Sequence, residues 1–359
     1  MNDLHSTTGR HRMTLHRSVF AVAALAMGLT SQAAVAETII FAGPGGSWQK
    51  VMEAEAIRPF EKICGCDVRY QAGTSNESLA RVVATKGNPE IDVMYSGNLQ
   101  QVQGANLGLF LPLDETKVPN LKTVWPNLRT PGDINANLGV IGGGLIYNAD
   151  IFKEKGFAAP TSYKDLARPE FKGRIALQPA SNNYGLGLVL LMAKDGGGGA
   201  DNIDPGFEMA KKLSESAAVY ARNAADMSRG FQQGTVWIAW WGDVRANTLA
   251  KTFPAAKWVK AKEGIPPIFM GASVVKGTKV EGTAYKLIDY LLSKEVQERL
   301  AGKLSIGPTV TTAKLDPAVA DKVIDGKDEV EALTDIDWNI VAAKKAEWIE
   351  RWNREVQHR

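Results

Sequence analysis

Histidine is nearly missing from this sequence. There are four in 359 residues: His5, His11 and His16 fall near the start, and His358 is next to last. The body of the chain therefore lacks a histidine-based metal site and the base of a Ser–His or Cys–His pair. Cysteine is as scarce, with only Cys64 and Cys66, one residue apart. A bridge between them closes a very tight ring, so two thiols and a labile disulfide both stay open, with packing as their role. No apolar run reaches the ~20 residues of a membrane-spanning helix. Neither sign of charge dominates. The formal net charge is +3, and setting aside Arg10, Arg12, Arg17 and Asp3 of the leader brings it close to neutral. No basic stripe points to nucleic acid.

What is present begins with that leader. Arg10, Arg12 and Arg17 precede an apolar run over residues 19–29, followed by small residues ending Ala34-Val35-Ala36. A basic segment, a short apolar segment and an A-x-A site predict a cleavable secretory signal peptide over residues 1–36 and export to the periplasm. Translation from Met13 stays open beside Met1. The mature chain is long enough for two domains, each with its own core.

Residues 37–48, ETIIFAGPGGSW, organise the rest. Ile39, Ile40 and Phe41 predict a buried strand. Gly43-Pro44-Gly45-Gly46 breaks it, and Ser47 is expected to cap a helix reaching residue 63. Such a turn leaves unpaired backbone N–H groups facing a crevice at the strand's carboxyl end. The device recurs. A strand over 67–71, a turn at Gly73-Thr74-Ser75-Asn76 and a helix over 77–86 follow, then a strand over 91–95, Ser96-Gly97-Asn98 and a helix over 99–106. Three successive βα units imply a parallel, doubly wound α/β sheet. Pro59, inside the first helix, predicts a kink.

Further on, Gly142, Gly143 and Gly144 interrupt a strand, as a crossing between lobes requires. Ala180-Ser181-Asn182-Asn183 repeats the capped turn before a helix from Tyr184. In GTVWIAWWGDV, residues 234–244, Val236, Ile238 and Trp240 alternate with Trp237, Ala239 and Trp241, which predicts a strand buried on both sides. Trp237 is expected in the core, and Trp240 or Trp241, at the carboxyl end, in a cleft. A return strand is expected over 268–276. A closing helix over 337–355 places Val341, Trp348 and Trp352 on one packing face.

With these stretches placed, the chain resembles the bacterial extracellular solute-binding proteins of ABC importers, nearest the spermidine/putrescine-binding type. The resemblance rests on Pro59-Phe60-Glu61 with Gly65, Ser75-Asn76-Glu77, Asp92 ahead of Ser96, and Gly108 with Leu113-Asp114. It continues in Leu145-Ile146-Tyr147-Asn148, Phe171-Lys172-Gly173, Gly234 before the tryptophan strand, and Lys262-Glu263-Gly264. It implies the type II periplasmic-binding-protein fold, two α/β lobes with a ligand cleft between them. Lobe 1 would comprise residues 37–141 and 270–312, and lobe 2 residues 142–269 and 313–359. It also implies no catalysis, no metal and no cofactor, in a monomer that delivers a small solute to a membrane permease and its cytoplasmic ATPase.

Polyamine binders of this kind hold ammonium groups with carboxylates and clamp the chain between aromatics. The corresponding acidic positions here are Ala180, Asn183 and Gly271, while Trp241 and Phe269 keep aromatic positions and Ser96 and Asn98 polar ones. The expected solute is a carboxylate, phosphonate or zwitterion. The expected ligand residues are Gly46, Ser47, Trp48, Ser75, Ser96, Asn98, Asn182, Asn183, Tyr184, Trp240, Trp241, Asp243, Phe269 and Gly271. Ser47, Ser75 and Ser96 are expected to head helices, and Arg222 and Arg245 to flank the cleft. Three alternatives stay open. One is a true putrescine or spermidine binder using Glu77 and Asp243. Another is a ferric-ion binder, although that branch uses adjacent tyrosines and Tyr184 has Asn183 and Gly185 beside it. The third is a periplasmic enzyme with Asp243, Glu77 or Asp92 as acid–base groups.

Overall fold

The computed structural model describes residues 36–357. The signal peptide, the choice between Met1 and Met13, and His358 lie outside the described residues. Ten strands follow in chain order: β1 (Thr38–Gly43), β2 (Asp67–Ala72), β3 (Val93–Gly97), β4 (Phe110–Leu111) and β5 (Ala136–Asn148), then β6 (Ile175–Leu177), β7 (Ala217–Tyr220), β8 (Ile238–Gly242), β9 (Ala256–Val259) and β10 (Pro267–Val275).

The sheet runs β2-β1-β3-β10-β5-β8-β6-β7, with β4 added on β10 and β9 on β5. The three glycine-turn units behave as expected: β1 pairs parallel with both β2 and β3. In the other half β6 lies parallel to β7 and β8. The two halves are joined by β10 and β5, which run antiparallel to their neighbours. β5 changes partners along its length, pairing Ala136–Gly142 with β10 and Gly143–Asn148 with β8 and β9. The change falls within the glycine run. A Cβ on Gly142 would lie 2.7 Å from Ile324, and one on Gly144 would lie 2.6 Å from the Val259 carbonyl, so neither place admits a side chain.

The apolar core divides accordingly. Ile39, Phe41, Val93 and Val274 pack with Ile288 and Leu291 of the helix Glu281–Leu291. Leu145, Phe152, Phe171, Leu186 and Trp240 pack with Val341, Trp348 and Trp352 of the helix Trp338–Glu355. A third cluster gathers Trp241 with Met227, Phe231 and Val236.

Several local expectations change. Pro59 does not sharply break its helix. A π-helical turn over Glu53–Ile57 precedes it. Pro59 has no N–H to offer the Glu55 carbonyl, and the Arg299 guanidinium donates to that oxygen instead, at 3.2 and 3.0 Å. The helix caps shift too. Gly46 (φ +71°), Thr74 and Gly97 are the N-caps, so Ser47 and Ser75 are first helical residues and Ser96 belongs to β3. Trp237 is partly buried at the edge of the second core cluster rather than inside it, with Arg174 at 4.8 Å and Lys155 at 5.3 Å from its ring centroid. Cys64 and Cys66 form a disulfide around Gly65, the left-handed residue closing the helix Arg58–Cys64.

Candidate functional site

Two sets of loops meet at the carboxyl ends of the parallel strands. The first follows β1 and β3. Trp48, one residue into the helix Ser47–Met52, stacks toward Tyr95 of β3 with ring centroids 6.1 Å apart. Ser96 is fully buried, and its carbonyl accepts from Gln101 Nε2 at 2.8 Å. Asn98 opens the helix Asn98–Asn106, and its Oδ1 accepts the Phe269 N–H at 2.7 Å, which ties the loop to β10. Four polar atoms here have no protein partner: Trp48 Nε1, the Tyr95 hydroxyl, Ser96 Oγ and Asn98 Nδ2. Burial pushes the Tyr95 hydroxyl far above the ordinary tyrosine range, so it is a donor and never a phenolate.

The second set follows β6 and β8. Asn182 caps the helix Asn183–Asp195 by accepting the Tyr184 N–H at 2.8 Å. The Tyr184 ring lies over Gly242, where a Cβ would sit 2.1 Å from it. It packs against all three large core clusters. Burial pushes its hydroxyl well above the ordinary tyrosine range, with Asp243 acting in the same direction and Arg245 against it. Trp240 presses on Gly143 and keeps its indole N–H without a partner, as does Gln178 Oε1 on the loop before Asn182. Trp241 turns into the third core cluster, and its carbonyl accepts from Trp258 Nε1 at 3.2 Å.

A buried polar atom left without a partner costs about 1–3 kcal/mol. Six such atoms on the converging loops mark a surface that a hydrogen-bonding solute or ordered water completes. Five belong to hydroxyl, indole or amide groups able to donate; only Gln178 Oε1 solely accepts.

The expected residues do not all gather there. Gly271 leaves no room for a side chain. A Cβ on it would meet the Ala136 carbonyl at 2.5 Å and Gln101 Nε2 at 2.6 Å. Beneath it Asn135 donates to Gln101 Oε1 at 2.9 Å and Asn137 to the Leu128 carbonyl at 2.7 Å, a buried amide network that fixes the Ser96 backbone. Ser75 Oγ accepts the Gly97 N–H at 3.4 Å, bracing the loop. Gly46 and Ser47 are exposed and Phe269 is partly buried.

Asp243 is fully buried and accepts the Gly142 N–H at 2.9 Å and the Val244 N–H at 2.6 Å. Burial pushes its pKa up to about 8 despite these bonds, with Lys260 acting to lower it and Glu329 to raise it. Glu77 is occupied by the Thr74 capping box, which holds its pKa below the usual carboxylate range. Asp92 accepts from Ile40 N at 2.7 Å and Thr278 Oγ1 at 2.5 Å, a brace between β1 and the end of β10. Arg222 lies elsewhere, exposed at a separate cavity of about 250 Å³ with Asp226 and Arg229. Among the described residues no group of three or more His, Cys, Asp or Glu side chains is placed to hold a metal ion, and no helix is long and apolar enough to cross a membrane.

One contributor is invisible to local sequence reading. Lys345, on the helix Trp338–Glu355, donates to Asn183 Oδ1 at 3.0 Å across 162 residues of chain. The same helix also meets the far end of the helix Asn98–Asn106, where Asn106 Nδ2 donates to Asn339 Oδ1 at 3.2 Å.

Comparison with known proteins agrees with this geometry. Residues 55–324 match the family described as bacterial extracellular solute-binding protein. The chain is 27% identical over 271 residues to spermidine/putrescine-binding periplasmic protein 1 of Haemophilus influenzae, covering 73% of this chain and 72% of that one. Among solved structures it is similar to an ABC transporter from Clostridium perfringens, with TM-score 0.79 and 24% identity over 89% of this chain and 99% of the other. It is also similar to the periplasmic binding protein AfuA of Actinobacillus pleuropneumoniae, solved with exogenous fructose-6-phosphate bound, with TM-score 0.68 and 21% identity over 90% of this chain and 99% of that one. The shared fold is the two-lobe α/β architecture with a cleft between the lobes.

Proposed function

Since this chain belongs to the bacterial extracellular solute-binding proteins, we propose that it captures a small organic solute carrying at least one anionic group and passes it to the permease of an ABC importer. Members of this family are transport proteins rather than enzymes. The proposed working form is a monomer, exported through the signal peptide over residues 1–36, with lobes divided where β5 and β10 cross. Residues 37–141 and 270–312 form one lobe, and residues 142–269 and 313–359 the other.

The observation that carries the reading is the set of partnerless donors. Trp48 Nε1, the Tyr95 hydroxyl, Ser96 Oγ, Asn98 Nδ2 and Trp240 Nε1 are all neutral. All five can donate to oxygen acceptors such as carboxylate, phosphonate or phosphate, whereas an ammonium would find only neutral acceptors, the two hydroxyls and Gln178 Oε1, and no counter-charge among them. The acidic positions of the polyamine type add none, since they are Ala180, Asn183 and Gly271. Trp240 supplies an apolar face for the rest of the solute. A solute bridging the Ser96–Asn98 and Asn182–Tyr184 loops favours the closed arrangement over the open one.

One observation favours a second reading. Asp243 is a carboxylate at the cleft's second side, so an amine could pair with it and the solute could be a zwitterion or a polyamine. Both its oxygens, however, already accept backbone N–H groups.

Thermal-shift screening of the mature protein against amino acids, opines, dicarboxylates, phosphonates, sugar phosphates and polyamines tests the reading. A cognate solute at a hundredfold excess over Kd adds about 2.7 kcal/mol of stability. It should come back chemically unaltered; turnover would support the enzyme alternative.

A further inference from the structure

The helix Trp338–Glu355 buries its side chains at helical spacing. Val341, Trp348 and Trp352 are 0, 2 and 2% exposed. Lys345 falls on the same stripe, four residues after Val341 and three before Trp348, so it is partly buried where Lys344 beside it is exposed. The two arginines of this helix behave differently, while the neighbouring Lys344 points to solvent. Arg351 pairs with Asp204 and Glu355, and Arg354 with Glu355. Lys345 has no carboxylate within the 4.0 Å of an ion pair among the described residues. Its recorded partner is the neutral amide of Asn183, at 3.0 Å. Burial holds the ammonium below the usual lysine range, with no counter-charge offsetting it.

The place matters as much as the isolation. Asn183 follows the cap residue Asn182 and precedes Tyr184, on the loop where the polyamine type is expected to carry a carboxylate. The helix bearing Lys345 also packs on the helix Asn98–Asn106, whose last residue Asn106 donates to Asn339 at 3.2 Å. A cation without a counter-charge thus stands beside the Asn182–Tyr184 loop. A partly buried ammonium satisfied only by an amide is costly, and an oxyanion arriving beside it removes that cost.

We propose that Lys345 provides the positive charge that pairs with the solute's oxyanion, a carboxylate or phosphonate, and that Asn183 holds the ammonium in position for it. The proposal rests on the anionic-solute reading above and adds the residue that reads the charge.

The test uses the full mature protein and its Lys345→Met, Lys345→Gln and Lys345→Arg variants. The probes are 2-aminoethylphosphonate, inorganic phosphate and succinate, followed by calorimetry and thermal melting. The wild type should bind at least one probe, and both neutral variants should weaken it by about tenfold or more. Lys345→Arg should keep most of the affinity because it keeps the charge. Without probe, the Lys345→Met protein should melt at or above the wild-type temperature, since it buries no ammonium. Unchanged probe affinity in the neutral variants overturns the assignment while leaving the anionic-solute reading intact. So does a probe-free Lys345→Met protein that melts well below wild type. A wild type that binds putrescine and none of the three probes overturns both.

Discussion

On the side of the cleft built from β1 and β3, Tyr95, Ser96 and Asn98 are uncharged, buried and tied to the sheet. On the side built from β6 and β8, Arg245 and Lys345 bring positive charge near the Asn182–Tyr184 loop, and Asp243 a buried carboxyl that keeps its proton up to about pH 8. The first side gains its precision from backbone bonds: Asn98 accepts from Phe269, and Ser96 rests on the Gln101–Asn135 network. The second side gains selectivity from charge, at the cost of partly desolvating an ammonium and holding the Asp243 carboxyl protonated. Changes on the first side should therefore register as stability, and changes on the second as pH dependence and ligand choice.

The largest effect is expected at Trp240, where the second side is also core. Trp240→Ala should cost about 3–5 kcal/mol in urea unfolding and abolish solute binding. Loss of binding with unchanged stability would mean the ring is not packed as described.

Glycine substitutions sharpen the contrast between the sides. Gly271→Ala forces a methyl against the Ala136 carbonyl, which cannot yield, and should cost about 1–3 kcal/mol. Gly242→Ala drives a methyl into the Tyr184 ring, 2.1 Å away and packed against three core clusters. It should cost similar stability and, unlike Gly271→Ala, lower affinity by displacing the Asn182–Tyr184 loop. Unchanged affinity would erase the distinction.

Asp243 tests the second side through pH. Its folded pKa of about 8 lies above the ordinary carboxylate value of 3.8. Between these values the unfolded chain has released the proton while the folded chain keeps it, so this group makes stability fall as pH rises across that window. Asp243→Asn should flatten the slope, gaining up to roughly 1.4 kcal/mol per pH unit relative to wild type between about pH 5 and about pH 8. Parallel pH–stability curves for the two proteins would contradict the burial.

A smaller effect is expected at Asn98. Asn98→Ala leaves the Phe269 N–H without an acceptor and should cost about 1–2 kcal/mol in thermal melting, with little change in pH dependence.

Much of the framework was legible in the sequence because it is local. The β-branched run at Ile39–Phe41, the glycines at 142–144 and the tryptophan strand each carry their own period and punctuation. The cap residues were misplaced by one position, since Gly46 and Thr74 take the N-cap dihedrals and leave Ser47 and Ser75 inside the helix. Trp237 reads as core by alternation, yet its ring lies under Arg174 and Lys155, and periodicity does not reveal cation contacts. The site was legible only where it sits on these local units. Gly271 looks like a lost acid until the Ala136 carbonyl shows that no side chain fits. Lys345 reads as an ordinary helix lysine until Asn183, 162 residues away in sequence, is found against it.

The account's central claim is the sign of the solute's charge. Calorimetric titration of the mature protein with 2-aminoethylphosphonate, succinate and inorganic phosphate, beside putrescine and spermidine, tests it most directly. The account predicts saturable binding of at least one anionic probe, with no polyamine bound in the micromolar range. Micromolar binding of putrescine or spermidine, abolished by Asp243→Asn, would contradict it.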